Sequence, residues 1–141
     1  MPFRLLMLAL ISTAVGCGSS EFSYEKGTVQ GMVTINGEPL ASGKIRFIPE
    51  VGTVGKLTVA EIKDGHYQFD LNKAPAVGNH KIEIIAIRNT GNKIQIPDAP
   101  AGTTMEETEQ YIPAPYNTSS RLKLEIKAGE NEGNFDLKMR P

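Results

Sequence analysis

An all-β fold, a sandwich of about seven short strands, is what this sequence predicts, and three observations predict it. Short runs alternate apolar and polar side chains with a period of two, the mark of strands with one buried face. Tight-turn pairs, Asn36-Gly37 and Asp64-Gly65, separate such runs. No stretch holds apolar residues at helical spacing over a normal helix length. The Gly 14 and Pro 9 of the 141 residues add turn signals, which again favours strands over helices.

The first strand is read from Gly27 to Ile35, where Val29, Gly31, Val33 and Ile35 alternate with Thr28, Gln30, Met32 and Thr34. Gly31 in mid-strand predicts a bulge or a closely crossing backbone. Pro39 has no N–H to give a ladder, so Glu38-Pro39-Leu40 belongs at an edge or outside the sheet. Lys44–Ile48 follows, with Ile45 and Phe47 on one face and Lys44 and Arg46 on the other. Val51–Gly55 reads as a loop. Lys56–Leu71 is a hairpin turning at Asp64-Gly65, its second strand carrying Tyr67, Phe69 and Leu71 on one face. Asn72–Asn79 is a connection, and His80–Arg88 is a strand in which Ile82, Ile84 and Ala86 share a face. Ile85 and Ile87 on the other face predict cover on both sides at that end. Asn89–Gln110, with two prolines, two glycines and no sustained period, reads as one long loop, and long loops carry function when ordered. Tyr111–Asn117 is extended by its prolines. Arg121–Ala128 alternates, with Leu122, Leu124 and Ile126 inward, and Gly129–Gly133 is a polar turn. Asn134–Met139 closes the fold through Phe135 and Leu137.

The segment before these strands is an address. Residues 1–16 combine Arg4 with the apolar run Leu5–Ile11, too short to span about 30 Å of hydrocarbon as a permanent helix. The sequence has one cysteine, Cys17, and a lone thiol cannot close an internal disulfide. Ala14-Val15-Gly16-Cys17 resembles a bacterial lipobox, although Ala14 stands where Leu is preferred. That resemblance implies cleavage before Cys17, acylation of Cys17 and a membrane partner reached through its acyl chains. Each buried CH₂ contributes about 0.8 kcal/mol, so more than one chain holds a protein stably on a bilayer. Gly18 in place of an acidic residue favours the outer membrane, by resemblance to sorting rules of such lipoproteins. Residues 17–26 are a flexible tether and 27–141 the folded domain, a size ordinary for one domain. From Cys17 onward the chain holds 14 basic and 16 acidic side chains with no basic run, so it offers nothing to nucleic acid.

The ordered set Gly27–Thr34, Asn36–Leu40, Gly43–Phe47, Asp64–Tyr67, Gly78–Ile84, Ile112-Pro113 with Tyr116-Asn117, Leu122–Ile126, Gly129 and Phe135–Leu137 resembles the carboxypeptidase regulatory-like domains of small bacterial lipoproteins. The resemblance implies a seven-strand transthyretin-like or immunoglobulin-like sandwich and an extracytoplasmic address. It transfers no catalytic residue.

Chemistry is sparse. His66 and His80 lack the local spacing or cysteine partners of a zinc site and read as solvated surface histidines. No Gly-x-Ser-x-Gly elbow exists, and the chain ends Lys138-Met139-Arg140-Pro141, unlike the Tyr-Arg-Gly-Ser tail of transthyretin-like hydrolases. Glu106, Glu107 and Glu109 read as a solvated loop end rather than a calcium site, and Asn117-Thr118-Ser119 as turn chemistry rather than a glycosylation site. Tyr111 and Tyr116 are candidates for a ligand rim, with capping of the core the stronger reading. The sequence therefore leads to a non-enzymatic, lipid-anchored envelope module with a structural or protein-binding role, no cofactor and no metal. Its contact surface is expected at Asn89–Gln110. The rivals are a carbohydrate or small-ligand receptor using the two tyrosines, and a hydrolase assembled from the two histidines.

Overall fold

A computed structural model describes residues 23–140; Cys17 and the residues before it, read above as a leader, lie outside the described residues. Among the described residues the chain is all-β, with eleven strand segments where the sequence predicts about seven, and one 3₁₀ turn. The strands are β1 (Gly27–Ile35), β2 (Glu38–Pro39), β3 (Ser42–Pro49), β4 (Thr58–Lys63), β5 (His66–Phe69) and β6 (Gly78–Ile85). They continue with β7 (Ile87–Gln95), β8 (Thr104–Gln110), β9 (Leu122–Ile126), β10 (Gly129–Glu132) and β11 (Phe135–Leu137). The main sheet runs β10-β1-β5-β4-β3-β6-β9, with β2 and β11 also paired to β1. β7 and β8 form a separate two-stranded ribbon.

The sheet curls so that one face of nearly every strand points into a common core. Val29 and Val33, Ile45 and Phe47, Ile62, Tyr67 and Phe69, Ile82 and Ile84, Ile126 and Leu137 are all buried, each from the alternate positions of its strand. Phe47 sits at the centre, edge-on to Phe69 with ring centroids 5.1 Å apart, the geometry that aromatic quadrupoles prefer. Asn36-Gly37 and Asp64-Gly65 both turn the chain through positive φ, as their side chains allow.

β1 is the seam. Its first half pairs in parallel with β10 and its second half with β11. The exchange occurs at Gly31, where an added Cβ would lie 1.8 Å from the Gly133 carbonyl oxygen. The closely crossing backbone expected at Gly31 is therefore there. Asn134 fixes the crossing by accepting from the Met32 amide at 2.8 Å, and the Gly133 amide donates to the Gln30 carbonyl at 3.0 Å.

Several expectations need correction. Gly129–Gly133 is not simply a turn: Gly129–Glu132 is a strand, added to β1 because Asn131 ties Lys127 and Thr28 together through backbone hydrogen bonds. Tyr111–Asn117 is not extended throughout, since Ala114–Tyr116 forms a 3₁₀ turn that Pro113 and Pro115 start and tolerate. His80–Arg88 is broken at Ala86 into β6 and β7, and Ile87 is exposed rather than covered. Leu71 is exposed as well. Asn89–Gln110 is mostly ribbon, not loop, and His80 is fully buried, not solvated.

Candidate functional site

Three places gather the residues with chemistry to offer: the β7–β8 ribbon, an open trough on the outside of the sheet, and the tyrosine corner. The ribbon leaves the sheet at Ala86. It is almost wholly exposed on both faces, which is why no period of two marks it in the sequence. Its strands run antiparallel from Ile87↔Gln110 to Gln95↔Thr104, with a bulge between Asn89 and Lys93. Gly91 at φ 86° carries the bulge. Polar contacts replace a core here. Thr90 Oγ1 and Asn92 Nδ2 donate to the Glu107 carboxylate at 2.7 and 3.0 Å, and Asn89 Nδ2 donates to Glu106 at 2.5 Å. The bonds from Asn92 and Thr90 hold the Glu107 carboxyl below the ordinary carboxylate range. Arg88 pairs with Glu109 at 2.8 Å. The acidic residues of the sequence are thus strand side chains with partners, and Ile94 and Met105 face each other as an exposed apolar pair.

The trough is a wide, open concavity of about 1160 Å³ across the outer face of β1, β5 and β4. Gln30, Met32, His66, Gln68, Glu61 and Glu132 line it, the outward partners of the buried core positions. The lining mixes polar and apolar side chains, with Gln30, Gln68 and Glu61 beside Met32 and Val59. His66 lies in it, whereas His80 points to the opposite face of the sheet, into the core. The two imidazoles are not brought together. Among the described residues no group of three His, Cys, Asp or Glu side chains is placed to hold a metal ion.

Tyr111 and Tyr116 pack, half-buried, against the core. The Arg88 guanidinium sits 5.0 Å from the Tyr111 ring centroid, and the Tyr111 amide donates to the Ala86 carbonyl at 3.1 Å. These contacts clamp the base of the ribbon. Tyr116 Oη donates to the Lys138 carbonyl at 3.1 Å and accepts from the Lys138 amide at 3.0 Å. Neither tyrosine lines the trough, and both do the capping work expected of the end of a core. Sequence reasoning missed Arg88, Thr90 and Asn92; the polar triplet around Gly91 was the one signal for a bulged strand.

No protein-family model, no curated protein and no solved structure matches this chain.

Proposed function

We propose that this chain is a non-enzymatic, lipid-anchored β-sandwich of the bacterial envelope, of the carboxypeptidase regulatory-like kind, which presents the β7–β8 ribbon as a protein-binding arm. One observation carries the reading. The chain enters the sheet at Gly27, beside Gly129 and Pro75, where β6 also begins. The ribbon leaves from the far end of β6. Eight strand residues separate the two ends, roughly 23 Å at about 3.3 Å per residue. A domain tethered through Cys17 thus holds its arm away from the anchored end. The arm has exposed apolar side chains and two strand edges that are unpaired among the described residues, the equipment of β-strand addition. The outer membrane is the favoured surface because Gly18 follows the cysteine.

Mass spectrometry of the mature N-terminal peptide tests the anchor: acylated Cys17 is expected, and an unprocessed leader would refute it. Cross-linking in intact envelopes tests the arm. Adducts of the full-length protein should disappear when residues 88–109 are replaced by Asn-Gly, and unchanged adducts would refute a binding arm.

A further inference from the structure

We propose that the partner of the arm is a second copy of this chain: strand β8 of one molecule adds along the free edge of strand β9 of another. The inference rests on the binding-arm reading and names its partner. β9 ends the sheet order, and among the described residues no backbone group of Lys123, Leu124 or Glu125 bonds beyond the β6 ladder. Such an edge is a template for another strand unless something blunts it. No proline or bulge interrupts β9, whose sequence is LKLEI.

The two edges match in length and sign. β8 has seven residues against the five of β9, long enough to cover it. β8 carries Glu106, Glu107 and Glu109 and no basic residue. β9 and its flanks carry Arg121, Lys123 and Lys127 against the single Glu125, all exposed on the outward face. Lys123 already reaches the half-buried Glu50 at 2.7 Å and Glu109 reaches Arg88 at 2.8 Å, but such pairs near the surface contribute little against a new partner. Leu122 and Leu124 remain half-buried on the inward face, so an added strand also covers apolar surface. Opposite charge steers the encounter and fixes which edges meet, while main-chain bonds supply the affinity. The contact is heterologous: arm meets edge, not arm meets arm, so copies on one membrane surface link head to tail.

Zero-length carbodiimide coupling tests this on the full-length protein in detergent micelles. Unlabelled and ¹⁵N-labelled copies are mixed before Glu–Lys amides are formed and mapped. Mixed-isotope links between the peptide holding Glu106 and Glu109 and the peptide holding Lys123 and Lys127 are expected, and their yield should fall severalfold from 0.05 to 0.5 M salt, since screening shortens the reach of exposed charges to about 4 Å at the higher strength. A Glu107→Lys/Glu109→Lys variant, whose two changes share one face of β8, and a Lys123→Glu/Lys127→Glu variant should each sediment as monomers, and an equimolar mixture should associate again. Wild-type protein that stays monomeric at all concentrations, or links confined to one isotope, would overturn the pairing. If arm-dependent adducts to other envelope proteins persist in that case, self-pairing fails while the binding arm stands; if arm replacement alters no adduct, both fail.

Discussion

His80 has no exposed surface. Its Nδ1 lies 3.1 Å from the Gly78 carbonyl, its ring centroid is 6.0 Å from that of Phe47, and Nε2 has no partner among the described residues. Burial lowers its pKa, opposed by the Gly78 carbonyl and by the field of Glu50. The folded chain therefore takes up a proton less readily than the unfolded chain, which titrates near the ordinary 6.5. Stability is full above about pH 6.5 and declines as pH falls toward the lowered folded value. Thermal midpoints recorded from pH 7.5 to 5 should fall in wild type and fall less in His80→Phe; parallel curves would contradict the assignment. Asp136 does not confuse that window. Lys138, Thr34 Oγ1 and the Gly37 amide hold its carboxyl at about 2, so its contribution fades only below the ordinary 3.8. Burial raises the Tyr67 phenol well above its usual range and keeps it a donor, to the Gly133 carbonyl at 2.7 Å. Tyr67→Phe leaves that buried carbonyl short of a partner, and chemical denaturation should register a loss of roughly 1–2 kcal/mol. His80 was legible in principle. It shares the period of two with Ile82 and Ile84, and only its place at the start of the run made it read as surface.

Element by element, what the sequence made legible was whatever has one wet and one dry face. β1, β3, β5 and β11 bury alternate residues as the pattern assigns, β9 does so fully only at Ile126 with Leu122 and Leu124 half-buried, and the two Gly-containing pairs turn where expected. The ribbon was illegible because both its faces are wet, and a bulge shifts its register between Asn89 and Lys93. β10 was illegible for a related reason. Gly129-Glu130-Asn131-Glu132 has no apolar member, and what makes it a strand is an asparagine bridging backbones on either side. Tyr111 and Tyr116 both pack against the core, while the ribbon whose base Tyr111 helps clamp reads in the sequence only as an irregular stretch. The Gly31 crossing is the element on which β10, β11 and β5 all depend. Gly31→Ala pushes a methyl into the Gly133 carbonyl, and neither backbone can yield without breaking the 3.0 Å bond from Gly133 to Gln30. A loss of about 3 kcal/mol or more is expected by denaturant titration, against about 1 kcal/mol for a Gly37→Asn control, whose positive φ of 88° asparagine tolerates better than most residues and whose turn is open.

Across the whole molecule, stability and the proposed presentation of a binding ribbon belong to different parts of the chain. The curled sheet is closed by long-range pairing, because β1 near the start of the described chain is sealed by β10 and β11 near its end. The ribbon contributes nothing to that closure; its two strands pair only with each other, and an isolated two-stranded hairpin is at best marginal in water. Tyr111, Arg88 and the Ala86 carbonyl fix where it emerges, so the sheet orients the arm without leaning on it. Ile87 and Gln110 stand directly opposite one another. A two-residue Asn-Gly turn in place of residues 88–109 therefore joins them with hairpin geometry. The shortened protein should keep its cooperative unfolding transition, with a midpoint within about 5 °C of wild type, because the lost contacts lie outside the core and surface changes are mostly small. Removing Phe135–Leu137 instead takes two buried side chains and the second half of the β1 seam, and should abolish the transition. Amide exchange on the intact protein reads the same division without mutation: arm amides should exchange through local opening, those of β1 and β3 only through global unfolding. Equal protection in both would mean that the arm is part of the core's cooperative unit, and its role as a separable binding element would fall with that result.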